Sequence, residues 1–299
     1  MISNLKREIL NTISTGSCCS YAFLNSLFSN AKLEYSLNKL EIDLPDFLVE
    51  KTKEIILNFY PNLKIVSDDK FVISGVDTEQ LLLDAGLSIN GNEIEVGGIN
   101  ESLLATECCE MTYIKALFLI AGNFYYSKDS NEKSKGYSIE FLFKNYAVAD
   151  DCKALMKFMG LKIGSSKRGN NTILYIKDSE TIYNLFVKMG AVETAIEMQN
   201  SLLIREMRND ANRQGNCFDA NLNKTLTASR EQVKAIDFII KNYGIDYLDE
   251  SLQETALLRL GNPEITLNEM QSLYSVPITR AGLKYKLDKI ISIYNKLTK

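Results

Sequence analysis

Histidine takes no part in whatever chemistry this chain performs, because its 299 residues include none. Ser-His and Cys-His nucleophile pairs, histidine general bases and histidine metal ligands are excluded together. Six cysteines remain: Cys18, Cys19, Cys108, Cys109, Cys152 and Cys217. Four of them form two adjacent pairs, and none shows the Cys-x-x-Cys spacing of a zinc or thiol-redox motif. Adjacent pairs can meet in space around a zinc ion, but the spacing favours buried free thiols in a reducing compartment, so no metal ligand and no cofactor is expected. The other chemistry-bearing group is cationic. From residue 277 onward stand Arg280, Lys284, Lys286, Lys289, Lys296 and Lys299 against one acid, Asp288. Cations at that density neutralise phosphate and steer nucleic acid toward a surface.

The whole-chain balance conceals this asymmetry. Net charge is −4, from 34 basic and 38 acidic residues. Residues 205–299 hold 14 basic and 12 acidic groups, which leaves 20 and 26 for residues 1–204. A balance of +2 follows one of −6, so the C-terminal part is the expected nucleic-acid contact. Hydrophobic content of 45% with 24% charged residues suits a soluble globular protein of about two domains. No apolar run reaches the roughly 18 residues that cross a bilayer. The first ten residues alternate charge and apolar groups at helical spacing rather than forming a leader. No membrane partner is expected, and the expected location is cytoplasmic and nucleoid-associated.

The cysteine pairs head two copies of one segment. Residues 18–31 and 108–121 align at a constant offset of 90. Both cysteines, Leu27/Leu117, Phe28/Phe118 and Ala31/Ala121 are identical, and Phe23/Tyr113, Leu24/Ile114 and Ser26/Ala116 are similar. Such a repeat marks a duplicated supersecondary unit. Alternating residues 33–42 and 137–143 predict half-buried strands. Pro45 opens a helix through Phe59, matched by residues 147–159 with Gly160 as terminator. Hairpins are predicted for 64–66 with 71–73, around Ser67-Asp68-Asp69-Lys70, and for 161–163 with 172–176, around a Gly/Ser/Asn-rich turn. Helices from Asp77 to Gly86 and from Asp178 to Gly190 end the copies, with Asp as N-cap and Gly as stop. Each copy thus reads α-β-β-α-β-β-α, with residues 93–99 as bridge. Small residues at Ser26, Ala31, Ala116, Ala121 and Gly122 predict that the two first helices pack together about a pseudo-twofold axis.

Helices are predicted over residues 193–208 and 225–241, the second closed by Gly244. Between them Asn209, Asn212, Asn216, Asn221 and Asn223 crowd one run. Asn prefers caps and turns to helix interiors, so a jointed connector is expected, with a solvated loop as the plain alternative. The final segment is punctuated as a helix-turn-helix. A helix over 249–260 stops at Gly261-Asn262-Pro263. Thr266 and Glu269 form a capping box that opens a short helix to Tyr274. Ser275-Val276-Pro277 is the turn, and Thr279 caps a third helix to about Leu297. Leu283, Leu287, Ile290 and Tyr294 form its buried stripe. Thr279, Arg280, Gly282, Lys284, Tyr285, Lys286 and Lys289 are the expected DNA-binding residues: small groups permit close approach, cations meet phosphate, and Tyr285 bonds or stacks on sugar. The expected domains are residues 1–196 with halves near 1–90 and 100–196, a helical Asn-rich connector over 197–246, and a helix-turn-helix over 247–299.

The duplicated copies resemble the LAGLIDADG homing-endonuclease fold through residues 24–32, which begin Leu24-Asn25-Ser26-Leu27-Phe28, and residues 114–122, which begin Ile114-Lys115-Ala116-Leu117-Phe118. In active members the penultimate residue of this nine-residue motif is an acidic ligand for Mg²⁺ in two-metal phosphodiester cleavage. The resemblance puts Ala31 and Ala121 there, and Ser29 and Leu119 at the earlier acidic position. Without carboxylates there is no oxygen cage for Mg²⁺, so the fold is implied without the nuclease.

Over nearly its full length the chain resembles the WhiA family, bacterial regulators that join a degenerate LAGLIDADG domain to a C-terminal helix-turn-helix. The two Cys-Cys helices, residues 205–209, Asn212-Arg213, Asn216-Cys217, Ala220-Asn221, residues 223–225, residues 258–260 and residues 282–290 carry that resemblance. It implies non-enzymatic binding of double-stranded DNA in transcriptional control, with a role in cell division and chromosome segregation, and in sporulation in some bacteria. Two departures stand out. The family's Gly-Gly after the repeat helix is Ala31-Lys32 in one copy and Ala121-Gly122 in the other, and its Asn-His-Arg in the recognition helix is Lys284-Tyr285-Lys286. Lysine keeps phosphate affinity but loses the bidentate fork that reads guanine. The expected fold class is therefore α+β, a duplicated LAGLIDADG-like domain followed by an all-α helix-turn-helix. The expected function is DNA-binding regulation. The alternative is a scaffold whose body binds a protein partner, with active nuclease third.

Overall fold

The computed structural model describes residues 2–67, 70–126 and 136–298; Asp68, Asp69 and Lys299, named above, lie outside them. The chain divides into two compact units, Met1–Arg205 and Glu206–Lys299. In the first, α1 (Ile2–Asn11) precedes two copies of one αββαββα sequence. The first copy comprises α2 (Ser17–Asn30), β1 (Lys32–Ser36), β2 (Lys39–Asp43), α3 (Asp46–Phe59), β3 (Lys64–Ser67), β4 (Phe71–Ser74) and α4 (Thr78–Asp84). A small hairpin of β5 (Ser88–Asn90) and β6 (Glu93–Glu95) leads through a 3-10 turn at Glu101–Leu104 to the second copy. That copy comprises α5 (Glu107–Ala121), β7 (Gly122–Tyr125), β8 (Ser138–Phe143), α6 (Tyr146–Phe158), β9 (Gly164–Arg168), β10 (Asn171–Ile176) and α7 (Ser179–Met189).

Both sheets are four-stranded and antiparallel, with the same order: β1-β2-β4-β3 and β7-β8-β10-β9. Leu40 and Ile42 of β2 and Phe71 and Ile73 of β4 lie in the core, as do Ile139, Phe141 and Phe143 of β8. Residues between them are less buried, the period of two that leaves one sheet face packed and one toward solvent. The helices cover the packed faces.

α2 and α5 pack together more extensively than any other two helices. α2 carries no charged side chain. Phe23, Leu24, Leu27 and Phe28 of α2 and Tyr113, Ile114, Leu117 and Phe118 of α5 are no more than 1% exposed. Burying each contributes about 2 kcal/mol through removal of apolar surface from water. The equivalent small residues Ser26 and Ala116 are both fully buried, which lets the helix axes approach.

Several local expectations need correction. Residues 33–42 form a hairpin, not one strand, because Asn38 takes a left-handed turn conformation (φ 58°) that its short amide side chain tolerates. β9 begins at Gly164, three residues beyond the predicted 161. A two-residue turn at Gly169 and Asn170 fixes Arg168 opposite Asn171, so the turn sets the register. Asp178 caps α7 by accepting the Thr181 N–H at 2.9 Å, whereas Asp77 makes no such bond to α4.

The jointed connector is overturned. One helix, α8, runs for 52 residues from Val192 to Tyr243 and includes every asparagine of the rich run. Each Asn costs at most about 0.7 kcal/mol against Ala in a helix, and no proline interrupts the ladder. Residues 206–224 are all exposed, so their side chains bond solvent or the preceding turn, as Asn221 Nδ2 does to Cys217 Sγ at 3.6 Å.

Replacing Ala116 by Leu should overpack the α2–α5 contact and lower unfolding free energy by about 1–3 kcal/mol, read from urea denaturation. An unchanged midpoint would mean the helices have room between them.

Candidate nucleic-acid interface

The second unit ends in three helices: α9 (Glu250–Gly261), α10 (Leu267–Ser272) and α11 (Arg280–Leu297). The starts of α10 and α11 are fixed by side-chain caps. Thr266 Oγ1 accepts the Glu269 N–H at 3.2 Å, and the Glu269 carboxylate accepts the Thr266 N–H at 2.7 Å. That backbone donor holds Glu269 below the usual carboxylate range. Thr279 Oγ1 accepts the Gly282 N–H at 3.1 Å. The stripe on α11 then divides between two small cores. Leu283 and Leu287 pack with Met270, Leu258 and Ile278, while Ile290 packs with Ile236, Ile239 and Leu252. Tyr294, half-buried, meets Phe238 edge-on at 5.2 Å between centroids.

A buried arginine ties α9 to the loop before α10. Arg259 is 2% exposed, and its Nη1 donates to the carbonyls of Ile265 at 2.9 Å and Asn262 at 3.4 Å. Burial lowers its pKa, yet a guanidinium remains charged throughout the working range. Two charge-assisted bonds thus tie the loop before α10 to the end of α9.

The seven expected DNA-binding residues do not stand alike. Arg280, Lys284 and Tyr285 are exposed, Tyr285 at 69%. Thr279 is exposed; its oxygen serves the cap, which leaves the hydroxyl hydrogen to donate outward. Gly282 is half-buried, and a Cβ there would meet Thr279 Oγ1 at 3.2 Å and Ile278 at 3.4 Å, so its smallness serves the cap. Lys286 is half-buried with Nζ 5.2 Å from the Tyr274 ring centre. Lys289 is paired with Asp249 at 2.9 Å, which raises its pKa.

Arg280 and Lys284 face a groove of about 860 Å³ whose wall also includes Lys224, Gln232, Thr266 and Asn268. Among the described residues no carboxylate lines it. Lys224 and Asn268 were not singled out as site residues from sequence, although Lys224 lies in the segment 223–225 that carries the family resemblance.

The face of the first sheet is different. Glu34 pairs with Lys32 at 2.8 Å, and Glu41 with Lys39 at 2.7 Å and Lys70 at 2.8 Å. Hydrogen bonds from both lysines hold the Glu41 carboxyl down at about 2. Lys32, Lys39 and Lys70 are neutralised by these two carboxylates. At the feet of the paired helices, Ala31 follows the last residue of α2 and Ala121 ends α5, both half-buried. A cation from the chain itself sits nearby: Lys6 Nζ donates to the Leu119 carbonyl at 3.0 Å, between the Phe47 and Phe118 rings. Burial lowers its pKa.

Comparison with known proteins agrees with both units. The model of the WhiA C-terminal HTH domain matches residues 211–294, and that of the WhiA LAGLIDADG-like domain matches residues 111–208. A probable cell division protein WhiA of Clostridium perfringens is 34% identical over 229 residues, which cover 74% of this chain and 71% of the relative. The chain belongs to the WhiA family. Members of the same description from Carboxydothermus hydrogenoformans and Bacillus velezensis are each 27% identical, spanning 98% and 99% of this chain and 96% of their own. The crystal structure of full-length WhiA from Thermotoga maritima has a TM-score of 0.51 and 19% identity, covering 98% of this chain and 96% of that one; the two share a fold.

Within this WhiA fold the duplication has one consequence that spacing rules miss. Cys18 and Cys19 occupy the first turn of α2, Cys108 and Cys109 the first turn of α5. Packing of the two helices brings all four Sγ atoms within 4.8 Å of one another. Cys152 lies apart, buried against the Tyr113 hydroxyl at 3.6 Å, and Cys217 is exposed on α8.

Arg259→Ala should loosen the tail by about 3 kcal/mol, because two hydrogen bonds from a charged donor are lost and two carbonyls are left short of a partner. Differential scanning calorimetry checks this; a tail that melts unchanged would remove Arg259 from the account.

Proposed function

We propose that this WhiA family member is a non-enzymatic regulator that binds double-stranded DNA through its C-terminal helices, in transcriptional control tied to cell division and chromosome segregation. The observation that carries the reading is the groove where Arg280 and Lys284 converge with Lys224 and no carboxylate competes. Arg280 and Lys284 neutralise backbone phosphate, and the N-terminal turn of α11 adds oriented N–H groups to that contact. Asn268 supplies hydrogen-bonding groups in the same groove, Asn being suited to adenine edges, and exposed Tyr285 offers a hydroxyl from α11. Lys286 and Lys289 are secondary contacts, since each must first leave Tyr274 or Asp249. An exposed ion pair of the latter kind is worth under about 1 kcal/mol, so Lys289 is recruited cheaply. The non-enzymatic reading follows from methyl groups at the two motif positions where carboxylates would hold Mg²⁺. DNA contact of this kind predicts a nucleoid-associated location.

A second reading gives the first unit a protein partner. It is favoured by a hollow of about 490 Å³ lined by Ile99, Leu104, Leu155 and Phe158 beside Glu101 and Asp151. Phe158 is 81% exposed there. An apolar patch with acidic edges suits a partner with apolar and basic side chains.

Arg280→Ala with Lys284→Ala should weaken duplex binding and reduce the log–log salt slope by about 1.8, two phosphates at roughly 0.9 each. Fluorescence anisotropy across a salt series reads both quantities, and an unchanged slope would take this face out of the interface. The intact chain with Mg²⁺ should leave supercoiled plasmid uncut; linearisation abolished by chelator would contradict the non-enzymatic reading.

A further inference from the structure

We propose that Cys18, Cys19, Cys108 and Cys109 form a four-thiolate site for zinc that clamps the N-terminal ends of α2 and α5. Four observations support the same conclusion. First, the Sγ atoms already lie within 4.8 Å of one another, and Cys18 and Cys19 are 3.9 Å apart. Four sulfurs at about 2.3 Å from a tetrahedral zinc stand roughly 3.8 Å apart, so closure needs shifts of about 1 Å or less. Second, each helix supplies one exposed and one buried cysteine, so the site has an open side for entry and a fixed side against the core. Third, both pairs sit in the first turn of a helix, where unpaired N–H groups and the dipole favour thiolate. Fourth, Thr106 Oγ1 lies 3.1 Å from Cys108 Sγ and 3.0 Å from Cys109 Sγ, an outer hydrogen-bonding partner of the kind that orients metal ligands.

The electrostatics favour a dication over bare thiolates. Glu107 and Glu110 add negative charge in the same turn. A soft divalent ion relieves this crowding: each sulfur releases its proton to water as it binds, and four thiolates around Zn²⁺ carry −2, offset in part by two helix N-termini. Thiolates select zinc over Mg²⁺ or Ca²⁺, and sulfurs this close leave no room for an iron–sulfur cluster. The clamp joins residues 90 positions apart and therefore ties the two halves of the duplicated unit.

The test uses the full chain, purified under thiol reductant without chelator and reconstituted with zinc. Elemental analysis should find about one zinc per chain, as a single tetrahedral site requires. Cobalt in place of zinc should give intense visible bands and a thiolate-to-cobalt charge-transfer band, which report four-sulfur tetrahedral ligation in the wild-type protein. Cys18→Ser with Cys108→Ser should abolish both signals, whereas Cys152→Ser with Cys217→Ser should retain them. Zinc content near zero after reconstitution, a pale six-coordinate cobalt spectrum, or Cys18 or Cys19 joined to Cys108 or Cys109 by a disulfide under the same reductant would each overturn the site. The wild-type cobalt spectrum does not depend on any variant folding.

Discussion

The packing of α2 against α5 is the constraint on which the first unit depends. Both helices are apolar on nearly every side, so neither tolerates solvent, and each becomes the other's core. Ser26 and Ala116 set how close they come, and the aromatic and leucine side chains on either side set the rotation. The two sheets follow, since β1 and β7 leave directly from the C-terminal ends of these helices. A close helix pair also brings together whatever stands at its two ends. At the C-terminal end that is Ala31, Ala121 and the Lys6 ammonium on the Leu119 carbonyl. At the N-terminal end it is four thiols. Side chains at each end can therefore change chemistry while the helix contact stays intact.

Charge placement separates the first sheet from the C-terminal helices in the same physical terms. On the first sheet Lys32, Lys39 and Lys70 each stand against Glu34 or Glu41, and the cations are spent locally. In the tail Arg280 and Lys284 open onto a groove without a carboxylate, and Lys289 is held by a single exposed ion pair. A polyanion gains more from meeting unpaired cations than from displacing carboxylates that already neutralise them. That difference, rather than the net charge of −4, supports the proposed DNA contact at the C-terminal helices.

Much of this was legible in the sequence because it is written in local signals. The offset of 90 exposed the duplication, and Thr266, Glu269 and Thr279 marked helix starts that the structure reproduces as caps. Other features depend on sums or on distant partners. The Asn-rich run reads as a joint residue by residue, yet small propensity costs without a proline do not break α8. Gly169 and Asn170 place β9, which hydropathy had put three residues early. Arg259 looks like any surface cation until the 262–265 loop folds over it. The cysteine pairs fail every local metal-spacing rule because helix packing, not chain spacing, assembles them.

Hydrogen–deuterium exchange of the full chain, free and saturated with duplex DNA at low salt, tests the central claim most directly. Exchange should slow at residues 224–232, 266–269 and 279–289, while β1, β2, β8 and β10 exchange as in the free protein. Protection confined to the two sheets, with the C-terminal helices unaffected, would contradict the account.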